Sequence, residues 1–104
     1  MSLSGIGGGG NQFEFNPNVF PTGDINGWNI LFKLLPGKPI ATNSEGKMLI
    51  TNVRLSGVSL TEGVDYVAFN FPDYEGGPII GNLNMIKVPQ PEDLNFVVDY
   101  YSPI

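Results

Sequence analysis

The sequence predicts an all-β protein: a small antiparallel β-sandwich or barrel, Ig-like or jelly-roll-like, with an extended glycine-rich N-terminal arm. Three observations carry this. From Trp28 onward apolar residues recur with period two, the spacing that places alternate side chains on one face of a strand. Gly (14) and Pro (9) are abundant, and beyond the N-terminus they fall between the alternating runs, where turns belong. No window longer than about eight residues keeps helical spacing, because Pro or Gly interrupts each candidate.

The elements follow in chain order. Residues 1–27 show no apolar periodicity and are read as the arm. Gly7, Gly8, Gly9 and Gly10 lose more backbone entropy on ordering than any other residue type. The arm is therefore expected to hold one path only against neighbouring subunits, where glycine lets backbones approach closely. Gln12-Phe13-Glu14-Phe15 alternates and suits a short added strand, whereas Asn16-Pro17-Asn18 and Phe20-Pro21-Thr22-Gly23-Asp24 are turn chemistry. Phe13, Phe15 and Phe20 are large apolar anchors on this tail, suited to grooves of a partner or of the chain's own core.

Residues 28–104 are read as the β-domain. Trp28, Ile30, Phe32 and Leu34 share one face of a first strand, which Pro36-Gly37-Lys38-Pro39 ends. Ile40 to Thr42 suits a short edge strand before the Asn43-Ser44-Glu45-Gly46 turn. Leu49, Thr51, Val53 and Leu55 alternate with Asn52 and Arg54, and Ser56-Gly57 interrupts. After Thr61-Glu62-Gly63, the residues Val67, Phe69 and Phe71 form the next apolar face. A long loop, Pro72 to Pro78, leads to Ile79, Leu83 and Met85, with Asn82, Asn84 and Lys87 opposite. Past Pro89-Gln90-Pro91-Glu92-Asp93, the last strand sets Leu94, Phe96, Val98 and Tyr100 against Asn95 and Asp99.

Composition narrows function. A chain of 104 residues fits one domain. With no His and no Cys, disulfides, thiol nucleophiles, imidazole bases and the usual zinc sites are excluded. Five basic residues against ten acidic ones give a net charge of −5. Such a surface suits neither nucleic acid nor anionic lipid, so neither is expected as a partner. No apolar run approaches the ~20 residues of a membrane span, and the first residues lack the basic and apolar regions of a signal peptide. The chain is thus expected to be made in a cytoplasm. Charged residues are only 14 %, about half the usual share, while Asn is frequent. Amides suit surfaces that become covered, and they are equally turn formers.

No catalytic constellation emerges. Without His, a Ser or Thr nucleophile needs a Lys or carboxylate base, and none of Lys33, Lys38, Lys47, Arg54 and Lys87 stands in a Ser-Lys motif. Asp73 with Glu75, or Glu92 with Asp93, are the available carboxylate pairs, but both lie in Pro/Gly-rich loops, where acids are ordinarily just solvated. A calcium site on Asp73 and Glu75 matches no loop motif, so no metal and no cofactor is expected. The run Gly7–Gly10 lacks the Lys-Ser/Thr ending of a phosphate loop. Tyr74, between Asp73 and Glu75, is the expected exposed aromatic, whereas Trp28 is assigned to the core over sugar stacking. Arg54 suits a cross-strand ion pair or, alternatively, a salt bridge between subunits.

Val53-Arg54-Leu55-Ser56-Gly57-Val58-Ser59-Leu60-Thr61-Glu62-Gly63-Val64-Asp65-Tyr66 resembles a β-hairpin phrase of bacteriophage virion proteins (tail fibres and head-associated proteins) and of some bacterial surface Ig-like modules. Residues 86–101, an apolar strand, a Pro/acid turn and an outer strand ending in Tyr, are similar to the close of that module. The phrase has Gly63 in the turn, Asp65 on turn amides and the Tyr66 ring turned inward. The loop 72–78 is longer than the phrase ordinarily allows, and the arm lies outside it. The resemblance implies a β-sandwich and transfers no functional residues. With the composition, it leads us to expect a non-enzymatic virion structural protein. The expected role is a capsid decoration or head-associated protein bound to coat or other virion proteins through its arm. Such a protein would form a homo-oligomer, trimeric in some cases. The alternatives are a phage tail or fibre component, or a carbohydrate- or cell-surface-binding β-module using Asp73, Tyr74 and Glu75.

Overall fold

A computed structural model describes residues 12–35 and 38–104. The glycines Gly7, Gly8, Gly9 and Gly10 lie outside the described residues, so their expected role as a partner-held arm is not addressed by it. Among the described residues there is no helix. Seven strands form: β1 (Phe13–Val19), β2 (Leu31–Leu34), β3 (Ile50–Leu55), β4 (Val58–Ser59), β5 (Tyr66–Pro72), β6 (Ile79–Met85) and β7 (Val97–Pro103). They make two antiparallel sheets, of order β1-β7-β3-β4 and β2-β6-β5. The architecture is the small β-sandwich that period-two patterning and turn spacing imply.

The interior lies between the two sheets. Phe32 and Leu34 of β2, Tyr66 and Ala68 of β5, and Leu83 and Met85 of β6 meet Val53 and Leu55 of β3 and Val98 and Tyr100 of β7. Phe96, just before β7, packs edge-on against Phe32 with ring centroids 5.1 Å apart, which joins the layers directly. Ile40 completes this core from the segment that crosses between the sheets. There the Ala41 N–H donates to the Tyr101 carbonyl and the Gly81 N–H donates to the Lys38 carbonyl, so residues 38–41 touch both layers. Residues 40–42 form no strand; only Thr42 bridges Met48.

The N-terminal boundary differs from the expected one. Phe13–Val19 pairs antiparallel with β7, from Phe13 opposite Pro103 to Val19 opposite Val98. Residues 13–19 therefore belong to the four-stranded sheet of the same chain, and the division at residue 27 does not mark its edge. The ladder breaks between Asn16 and Val19, where Pro17 cannot donate and Asn18 takes a positive φ of 54°. Asp99 fastens this bulge by accepting from the Asn18 N–H at 2.7 Å. The β3–β4 hairpin turns on Ser56 and Gly57, both at positive φ (53° and 79°), the two-residue turn whose twist matches paired strands.

Trp28 is corrected. It is 77 % exposed, because β2 begins only at Leu31. Asn26 ends the alternation early, its Oδ1 accepting from the Trp28 and Asn29 N–H groups and closing a turn. Val67, Phe69 and Phe71 are corrected in the same sense: the core-facing residues of β5 are Tyr66 and Ala68, and the expected apolar face points away from the core.

Candidate interaction surface

The outer face of the β2-β6-β5 sheet is unusually apolar for a face turned from the core. Strand register fixes its rows. Leu31 stands opposite Asn84, which stands opposite Val67; Lys33 stands opposite Asn82, which stands opposite Phe69. Phe71 lies one pleat further along β5. Leu31 is 56 % exposed and Phe71 62 % exposed, and the Phe69 and Phe71 rings meet edge to face at 6.4 Å.

A cleft of about 610 Å³ opens on this face. Leu31, Phe69, Phe71 and Pro72 give it apolar walls, and Asn82 lies between them. Its rim is polar: the Lys33 ammonium donates to the Asp73 carboxylate at 2.7 Å and to the Asp73 carbonyl at 3.1 Å. The pair is partly exposed, so its own contribution to stability is small, about 0–1 kcal/mol. It does fix the 73–78 loop against β2. Thr22 closes the other side by exchanging two backbone hydrogen bonds with Lys33, at 2.7 and 2.9 Å. The next residue, Gly23, runs so close to Phe32 that an added Cβ would lie 2.6 Å from the ring.

The loop residues named from sequence stand beside this cleft. Asp73 is committed to Lys33, and among the described residues no three acids, His or Cys gather where a metal could bind. Tyr74 is exposed, with its ring lying over Gly77, where a Cβ would come within 2.8 Å. Glu75 is exposed in the same loop. The aromatic anchors divide. Phe13 is half-buried in β1, Phe15 packs on Tyr101 with centroids 5.0 Å apart, and Phe20 is exposed beyond the strand.

Other polar groups serve structure. The Arg54 guanidinium bonds the Asp99 carboxylate across β3 and β7 at 3.2 Å and the Asn18 side chain at 3.1 Å, so its ion pair lies within the chain. Asn43 caps a loop by accepting from the Glu45 and Lys47 N–H groups. Asn70 clamps Ile40: its Oδ1 accepts from the Ile40 N–H at 2.8 Å, and its Nδ2 donates to the Ile40 carbonyl at 2.9 Å. Several Asn residues are thus local formers of turns and ties, whereas Asn82 and Asn84 stand on the apolar outer face. Asp65 accepts from the Thr61 N–H at 2.9 Å, as the hairpin phrase implies. The Asp93 carboxyl is held below its ordinary range by the Gln90 N–H and the Ser56 hydroxyl. Burial, reinforced by Glu62, pushes the Tyr66 hydroxyl up to about 12, and burial also raises that of Tyr100.

The outer-face residues Leu31, Lys33, Phe69 and Phe71 were not singled out as a site by sequence reasoning. The available signal was the β5 run Tyr66-Val67-Ala68-Phe69-Asn70-Phe71, which is apolar at both parities. Such a strand buries one face in its own core and leaves a second for something else. Among the described residues no helix is long and apolar enough to cross a membrane. Comparison of the chain with protein-family models, curated proteins and solved structures gives no match.

Proposed function

We propose that the chain is a non-enzymatic structural protein that seats the outer face of its three-stranded sheet against a protein neighbour in a larger assembly. The cleft between Leu31, Phe69, Phe71 and Pro72 carries this reading. A concave apolar surface with a polar rim accepts an apolar side chain and leaves a fixed charge pair to orient it. The assembly we propose is a virion, with the protein as a capsid decoration or other head-associated component. This part rests on the likeness of residues 53–101 to the virion hairpin phrase and on the low surface charge.

The test is mass photometry of the purified chain alone and mixed with assembled coat lattices. Attachment that Leu31→Glu or Phe71→Glu abolishes, in variants that remain folded, supports the proposal. Attachment unchanged in both variants overturns the role of this face. Failure to attach to any lattice, with a stable trimer formed by the chain alone, favours the tail or fibre reading. The arm is tested separately by removing residues 1–11, because a deletion to residue 20 would also remove β1.

A further inference from the structure

The two sheets have four edge strands, β1, β4, β2 and β5. An edge offers unpaired N–H and C=O groups to any other chain, and folded proteins usually blunt it. Three of these edges are blunted. β1 is interrupted by Pro17 and its bulge, and it carries Glu14, paired with Lys38. β4 is two residues long. β2 is met by Thr22 through the bonds to Lys33.

β5 is different. It is seven residues long, YVAFNFP, and contains no charged residue. Its hydrogen-bonding sides follow from the neighbouring bonds. The Met85 N–H donates to Ile30 and the Gly81 N–H to Lys38, so the odd-numbered residues of β6 turn away from β5 and the even-numbered ones toward it. With Asn82 opposite Phe69, it is Val67, Phe69 and Phe71 that bond β6. Tyr66, Ala68, Asn70 and Pro72 direct their backbone groups outward. The Tyr66 carbonyl confirms this side, since it accepts from the Gly63 N–H of the preceding turn. Pro72 has no N–H. The outward N–H and C=O groups of Ala68 and Asn70 have no partner among the described residues.

We infer that this edge pairs with the same edge of a second copy of the chain, antiparallel about a two-fold axis. Two arguments select a second copy as the occupant. The edge is self-complementary: each copy offers the donors and acceptors of Ala68 and Asn70, and antiparallel pairing lets them satisfy one another. The edge is also neutral in a chain of net charge −5, so two copies meet there without placing like charges in register. Pairing about a two-fold axis uses the same edge of both copies and so closes at two. The contact joins two three-stranded sheets into one of six strands, sets Phe69 opposite Phe69 of the second copy and sets Val67 opposite its Phe71. A short edge buries less than the ~800 Å² per partner of a standard interface, so the dimer is weak, in the micromolar to millimolar range. The inference concerns the strand edge and stands whether or not the outer face docks on another protein.

Amide hydrogen exchange by NMR on the full chain, followed across that concentration range beside sedimentation velocity, tests it. The expected result is a monomer–dimer equilibrium in which the Ala68 and Asn70 amides gain protection of at least tenfold with concentration. The Val67, Phe69 and Phe71 amides, bonded to β6, stay protected throughout. Phe69→Lys, at the one outer-face position that meets its own counterpart on the axis, sets like charges face to face, and it is expected to weaken the dimer at least tenfold while the fold persists. A chain monomeric at every concentration overturns the inference. So does a dimer in which the Ala68 and Asn70 amides still exchange freely or which Phe69→Lys leaves intact. Protection of those two amides at every dilution also overturns it, since the chain's own residues would then cover the edge.

Discussion

Replacing Asn70 by Ala separates a structural tie from a surface amide. Asn70 ties β5 to the crossing segment by two hydrogen bonds: its side chain takes the Ile40 N–H at 2.8 Å and gives to the Ile40 carbonyl at 2.9 Å. Ile40 is 2 % exposed and part of the core, so water cannot readily replace the amide. Truncation leaves one backbone donor and one acceptor unpaired, at about 1–3 kcal/mol each, and a total of about 2–6 kcal/mol is expected. For a domain of this size that lowers Tm by on the order of 10 °C or more, a large share of the ~5–15 kcal/mol typical of a native protein. Urea denaturation at low protein concentration, with Asn84→Ala as the exposed comparison, gives the numbers. Asn84→Ala is expected within about 0.5 kcal/mol of the parent. Asn70→Ala costing under about 1 kcal/mol at an unchanged m value would refute the reasoning, because the Ile40 backbone would then be satisfied without the clamp.

Three further outcomes are expected. Gly23→Ala sets a Cβ 2.6 Å from the Phe32 ring and should cost about 1–3 kcal/mol in thermal or chemical unfolding. Trp28→Ala should change stability by no more than about 0.5 kcal/mol, and the Trp28 emission should already be that of a solvated indole in the folded state. The Tyr66 hydroxyl, pushed up to about 12, keeps its proton in the folded state over a range where the unfolded chain loses it. Its contribution to stability is therefore complete below the unfolded value near 10 and is lost as pH rises toward 12. Tyr66→Phe should flatten that alkaline fall and remove a late-titrating step from the 295 nm absorbance.

The fold was legible because its signals are local. Period-two runs at 28–34, 49–55 and 94–100, with turn residues between them, suffice for strands and for a sandwich, although the strands themselves cover 31–34, 50–55 and 97–103. The inward pointing of Phe32, Val53, Leu83 and Val98 follows directly. The failures have a common cause, namely that parity in a strand is set by what covers it. In Tyr66-Val67-Ala68-Phe69-Asn70-Phe71 both parities are apolar, so the larger side chains were assigned inward. Tertiary context instead buries Tyr66 and Ala68 and uses Asn70 to hold Ile40. Trp28 continues the alternation of Phe32 and Leu34 numerically, but the Asn26 turn stops the strand before it. Within residues 13–19 the sequence offers only a short added strand at 12–15 on the arm, because Pro17 and Asn18 interrupt the rest. Only the long-range pairing with β7, from Phe13 opposite Pro103 to Val19 opposite Val98, makes the whole segment a strand. The candidate surface depends on these same non-local facts, so it was invisible until the strands were placed.

Hydroxyl-radical footprinting of the chain, free at low concentration and then attached to its assembly, tests the central claim most directly. Leu31, Phe69 and Phe71 should lose most of their reactivity on attachment, while Leu94, exposed beside the β3–β4 turn of the other sheet, serves as the internal reference. Equal reactivity of Leu31 and Phe71 in the free and attached protein would contradict the account, because the outer face of the three-stranded sheet would then not be where the protein meets its neighbour.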